Sequence, residues 1–356
     1  MKKISSASRG GFINYGIVIV FFAVFQALIA TKHLSNNFKG QLIPICAYVI
    51  MALSLNLVVG ISGELSLGHA GFMSVGAFTG VIVATSLQNS ITAGPVRLIL
   101  AILIGALFAA IAGVLIGIPV LRLQGDYLAI VTLAFGEIIK NIINCLYVGV
   151  DANGLHFSMT DATALGMEAD GTVILNGPMG ATGVTKLSTF VSGIILVIIV
   201  LFIVQNLVNS RAGRAIKAIR DNRIAAEATG LNVIKYKMMA FVTSAAMAGA
   251  AGALYALSYS TVVPKKFDFN TSILVLVFVV LGGIGNLRGS IIAAAILTVL
   301  PELLREFQDY RMLVYAIVLI LVMIISNNPQ AKALLKRITG KFSRKRAVTE
   351  EGTGND

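Results

Sequence analysis

Between Gly40 and Gly63 the chain runs without a charged side chain, and the same holds from Gly10 to Thr31 and from Leu98 to Leu121. A helix needs about 20 apolar residues to cross the hydrocarbon core of a bilayer, so each run is long enough to span. No water reaches that core to pair backbone N–H and C=O groups, which leaves helices and closed barrels as the spanning structures. Barrel strands would show as alternating segments of about 10 residues, and no such alternation occurs. The sequence therefore specifies an all-α, polytopic membrane helix bundle. Composition agrees: with 57% hydrophobic and 12% charged residues in 356 positions, a soluble core has no way to hide this much apolar surface.

Apolar runs between polar breaks mark about ten spans, at 12–30, 41–60, 65–88, 98–119, 127–148, 187–209, 238–259, 271–283, 290–301 and 312–326. The runs at 271–283 and 290–301 are too short to cross alone and are expected as broken or re-entrant helices meeting at Gly282, Gly283, Gly285 and Gly289. The first run follows Lys2, Lys3 and Arg9 but lacks an A-x-A site before Lys32, so it reads as a retained span and not a signal peptide. Residues 1–327 then form a transmembrane domain, and 328–356 a basic cytoplasmic tail. Cys46 and Cys145 lie in apolar stretches and read as packed thiols.

Orientation follows from Lys and Arg, which collect on the cytoplasmic side. With the N-terminus inside, the inside segments hold 19 of the 28 Lys/Arg and the outside segments 8, with Lys140 inside a span. Both termini are therefore expected in the cytoplasm. The net charge of +12 is mostly this asymmetry and its contact with anionic lipid, and it gives no reason to expect nucleic acid. The outside connection 149–186 carries Asp151, Asp161, Glu168 and Asp170 against one lysine. A connection this long is uncommon without a role, and it reads equally as a docking surface or a solvated insertion.

Segment 210–237, SRAGRAIKAIRDNRIAAEATGLNVIKYK, holds seven Lys/Arg against Asp221 and Glu227, and its middle reads as a short helix ending at Gly230. A structured, charged helix between two spans is suited to meet something in the cytoplasm. Small residues recur every four positions at Gly105, Ala109, Gly113 and Gly117, and at Ser244, Ala248, Gly252 and Ala256. In lipid such ridges let helix backbones approach closely.

Four blocks in order, NLVVGISGELSLGHAGFMSVGAFTG from Asn56, GDYLAIVTLAFGE from Gly125, GRAIKAIRDNRIAAEATGLNVIKYKMMAFVTSAAMAGAAGALYAL from Gly213 and LGGIGNLRG from Leu281, carry a resemblance. Together they resemble the membrane permease subunits of branched-chain amino acid ABC importers, the LivM type, over about residues 41 to 330. The resemblance implies a non-enzymatic subunit in the bacterial cytoplasmic (inner) membrane, taking in leucine, isoleucine and valine. It implies as partners a second, related permease in a heterodimer, two cytoplasmic ATPase subunits and an extracytoplasmic substrate-binding protein. ATP would be bound by those partners and no cofactor by this chain; independently, no G-x-x-x-x-G-K-[ST] occurs. It also implies that 210–237 is an EAA-type coupling loop, with Arg214, Arg220, Asp221, Glu227, Ala228 and Gly230 as ATPase-coupling residues.

Substrate-path candidates come from two places. Gly63, Gly68 and Gly71 interrupt a helix around Glu64 and His69, and broken transporter helices expose backbone groups that bind a zwitterion's charged ends. His69 reads either as a titrating group on the path or as a hydrogen bond to a neighbouring helix. Glu137 and Lys140 share one face of a mid-chain span, where charge needs a partner or water, and read as a polar lining or gate, or as a clamp between helices. Arg288 falls in a cytoplasmic turn and anchors it to lipid or to the ATPase side. His33, His69 and His156 are scattered and carry no metal-ligand spacing. The rivals are a urea or short-chain amide importer permease of the same fold, and a proton-coupled secondary transporter with Glu137, Lys140 and His69 as relay.

Overall fold

The computed structural model describes residues 6–30 and 36–303, apart from 89, 124, 152–153 and 168–170, together with 313, 316, 317 and 320. The expected span at 312–326, the tail at 328–356, and Glu168 and Asp170 fall outside these residues, but for the four positions named. Two units are distinguished, 1–299 and 300–356. In the second, the described residues are the end of one helix and the four isolated helical positions.

In the first unit, α1 (Ser6–Ala30) and α2 (Asn36–Asn56) lead into a π-helical turn, Leu57–Ser62. After a non-helical stretch come α3 (His69–Ser86), α4 (Gly94–Val120) and α5 (Asp126–Asn144). Strands β1 (Tyr147–Asp151), β2 (Gly154–Ser158), β3 (Thr172–Asn176) and β4 (Ala181–Thr182) precede α6 (Phe190–Asn209). Then follow α7 (Arg211–Asp221), α8 (Arg223–Ala228), α9 (Val233–Ala256), β5 (Thr261–Val262), α10 (Phe269–Gly282) and α11 (Leu287–Leu303).

Five helices among the described residues are long and apolar enough to cross a membrane: α2 with its π-turn (Phe38–Ser62), α3, α4, α6 and α9. The bundle is built on α9, which packs chiefly against α4 and α3. The small residues explain how. A Cβ at Gly252 would lie 1.9 Å from the Met73 carbonyl oxygen, one at Gly76 2.0 Å from that of Gly249, and one at Gly113 2.7 Å from Ala245 Cβ. Bare backbone surfaces meet there, the arrangement that close packing in lipid demands. The opposite face of α4, with Ile99, Leu103, Leu107 and Leu115, stays exposed as a lipid-facing side chain would.

Helices α10 and α11, 14 and 17 residues long, meet across a glycine turn, where a Cβ at Gly289 would lie 1.6 Å from the Gly282 carbonyl oxygen. Only glycines allow that reversal, as the Gly282 to Gly289 pattern suggests.

The 149–186 connection is not irregular. Its strands form an antiparallel sheet in the order β2-β1-β3-β4-β5, and β5 comes from the loop after α9, so the two connections share one sheet. The last turn of the expected 127–148 span becomes β1, because α5 stops at Cys145 and Tyr147 pairs with Ser158 and Asn176. Asp161 accepts from the Thr163 hydroxyl (2.8 Å) and the Ala164 N–H (2.7 Å), bonds that hold its carboxyl below the ordinary aspartate value. Cys46 is buried as expected, whereas Cys145, at the helix end beside the sheet, is exposed.

Candidate functional site

Side-chain caps divide the basic segment. Ser210 accepts from the Gly213 N–H to start α7, Asn222 from Ala225 to start α8, and Asn232 from Lys235 to start α9. Each cap stabilises its helix by about 1 kcal/mol. The single short helix expected here is thus two, broken at Asn222, whose extended backbone ends α7 and whose side chain opens α8. Ala226 is buried in a cluster with Ile219 and Val233, packed by Leu231 and Tyr236, which seats α8 on the bundle.

The outward side of α8 is free. Ala225, Glu227, Ala228 and Gly230 are exposed, and Ile224 is 80% exposed. Glu227 accepts from Arg223 (3.0 Å), a surface pair that contributes little to stability and yields readily to another partner. Arg214 donates to the Asn209 carbonyl at the end of α6 (3.2 Å). Arg220 turns inward: its Nε and Nη2 bind Asp221 Oδ1 (3.0 and 2.8 Å) and its Nη1 donates to the Gly60 carbonyl in the π-turn (2.9 Å).

The substrate-path candidates separate. Glu64 pairs with Lys237 at the start of α9, both nearly buried. His69 is buried between helices, its Nε2 2.9 Å from Ser54 Oγ and 3.1 Å from Ser244 Oγ, joining α2, α3 and α9. Gly68 lets α5 approach, since a Cβ there would lie 2.0 Å from the Thr132 carbonyl oxygen. Gly71 and Glu137 come together in one cleft, lined also by Leu133 of α5 and by Phe267, Asp268 and Ser272 at the head of α10. Lys140 pairs with Glu137 on the same helix. Arg288 donates to Asn14 of α1 (2.6 Å).

Sequence reasoning missed Asp268, Lys237, Asn56 and Ile224. Asp268 caps α10 through the Thr271 N–H (3.0 Å) while facing the cleft. Asn56, fully buried, accepts from the Gly285 N–H (2.8 Å) and donates to Ser290 (2.9 Å), tying α2 to the α10–α11 turn. Its signal was present in the sequence as an amide inside the charge-free run Gly40–Gly63.

A family model described as branched-chain amino acid transport system / permease component matches residues 38–323. The chain belongs to this permease family. Among its relatives, the high-affinity branched-chain amino acid transport permease LivM of Escherichia coli K12 is 38% identical over 288 residues, 78% of this chain and 66% of that protein. The chain therefore spans just under two thirds of that relative's length. The high-affinity branched-chain amino acid transport permease LivH of Salmonella typhimurium is 33% identical over 118 residues, 33% of this chain and 38% of LivH. The ribose import permease RbsC of Escherichia coli K12 is 26% identical over 324 residues, 88% of this chain and 92% of that protein. No solved structure gives a significant match. For a branched-chain-type permease, the two places to look are thus the exposed α8 and the cleft between α3, α5 and α10.

Proposed function

We propose that this chain is a permease subunit of an ATP-driven importer for branched-chain amino acids, set in the bacterial cytoplasmic membrane with about ten spans and both termini inside. It pairs with a second, related permease, takes its energy from two cytoplasmic ATPase subunits and receives substrate from an extracytoplasmic binding protein. The observation that carries this is α8: a short, capped helix, anchored by Ala226 and presenting Ile224 with Ala225 and Ala228 to the outside. Small residues keep it slim enough to enter a groove on a partner, and an unpaired isoleucine at 80% exposure is a natural anchor there. The similarity to LivM, and over a shorter stretch to LivH, supports the substrate class and the paired permease.

The chain performs no bond chemistry. Closure of the ATPase dimer displaces α7 and α8, and the paired bundles exchange inward for outward access. We take the cleft as one wall of the path, lined by Glu137, Asp268, Leu133 and Phe267.

The test is uptake of labelled leucine by proteoliposomes holding the complete complex and its binding protein. Uptake is expected to require ATP, to survive an uncoupler, and to be competed by isoleucine and valine but not by urea or ribose. Uptake abolished by the uncoupler would instead establish a proton-coupled carrier, and competition by urea or ribose alone would replace the substrate class.

A further inference from the structure

At the end of α2 the helix widens into the π-turn Leu57–Ser62 and the chain leaves it at Gly63, whose φ of 77° suits glycine. Carbonyls at a helix end lose their intrahelical donors. Here the Gly60 carbonyl is satisfied from outside, by Arg220 Nη1 at 2.9 Å, and the arginine's methylenes cover Gly63 so closely that a Cβ there would lie 2.5 Å from its Cγ. The guanidinium is held in place by its two bonds to Asp221 Oδ1. The last residue of α7 but one is thereby fixed to one peptide of the π-turn.

The other side of the same turn meets the α10–α11 reversal. A Cβ at Gly60 would lie 2.3 Å from Gly285 N, and Asn56 holds both the Gly285 N–H and Ser290. Helix α10 then runs its 14 residues, about 21 Å at 1.5 Å per residue, from this contact to Asp268 and Ser272 in the cleft wall. A π-turn interrupts the regular i→i−4 ladder of an α-helix, and such single turns are frequent at functional sites.

We propose that Arg220 and Asn56 are positioning residues of the transport cycle: Arg220 passes displacement of α7 to the π-turn, and Asn56 passes it on to the α10–α11 turn and so to the cleft wall. This rests on the importer reading and adds to it the route by which the far end of α10 senses the ATPases. It gives Arg220, which the resemblance implies as an ATPase-coupling residue, a role inside the permease.

The experiment compares leucine moved per ATP hydrolysed in the reconstituted complex for Arg220→Met, Arg220→Lys, Asn56→Ser and the Arg220→Met/Asn56→Ser double variant, with assembly checked by co-purification. If Asn56→Ser does not assemble, Ser290→Ala, which removes the acceptor of the Asn56 amide together with the hydroxyl's bond to the Asn286 carbonyl within the same turn, takes its place. Arg220→Met is expected to lower the ratio about fivefold or more, Arg220→Lys, which still donates to the carbonyl, to stay within about twofold, and the double variant to fall no further than the worse single one. A wild-type ratio in Arg220→Met, a Lys variant as poor as Met, or losses that multiply in the double variant would overturn the relay. Absence of ATP-driven uptake in the unaltered complex would instead remove the importer reading beneath it.

Discussion

Lys237 stands in the sequence as the last of seven basic residues in a polar loop, yet the fold takes it into the bundle to meet Glu64. Both side chains are about one tenth exposed, so each charge has given up most of its hydration and depends on the other. Lys237→Met is therefore expected to destabilise the protein by about 3 kcal/mol, because it leaves a buried carboxylate alone, and adding Glu64→Gln should recover roughly half of that. Thermal melting of the purified protein in detergent measures both; equal, additive losses would show that the pair is not coupled. Glu64 illustrates what a sequence withholds: its glycine-rich surroundings announced a broken helix, which the fold has, but its partner lies 173 positions away in a segment whose charge pointed outward. His69 is similar, since both readings of a histidine on an apolar stretch are open until Ser54 and Ser244 are seen beside it.

The element scale was the more legible. Small residues at four-residue spacing implied close helix contact without naming the partner; on α9, Gly252 meets α3, while Gly249 and Ala253 meet both α3 and α4. That contact has a direct test. Gly252→Ala puts a methyl 1.9 Å from the Met73 carbonyl oxygen, and the two helices have to part to admit it, at a cost of about 1 to 3 kcal/mol. Gly40→Ala in α2 has nothing within 4 Å and should be neutral or raise stability by up to about 1 kcal/mol through helix propensity. Melting temperatures of the two variants should fall on opposite sides of, or one well below, the unaltered protein; a tolerated Gly252→Ala would mean that the ridge is not a packing surface. The sheet was not legible, for a physical reason: its strands are five residues or fewer and β5 joins from 80 residues beyond β4, so no local alternation announces it.

At the scale of the whole molecule, α9 sets the polarity. Its first residues adjoin α7, the π-turn and, through Gly117 against Met238, the end of α4, while its last lead through β5 into the sheet. Twenty-four helical residues separate these ends by about 36 Å, enough to cross the hydrocarbon core. The basic α7 and α8 therefore lie at one membrane face and the sheet at the other, whatever the orientation. In the orientation we propose from the Lys/Arg asymmetry, the basic face is the cytoplasmic one. With Cys46 and Cys145 replaced, a membrane-impermeant maleimide should label Ser158→Cys on β2 in intact spheroplasts, and Arg122→Cys in the α4–α5 turn only after permeabilisation. The reverse pattern would invert the molecule and, by turning α8 away from any source of ATP, would remove the basis for coupling through that helix.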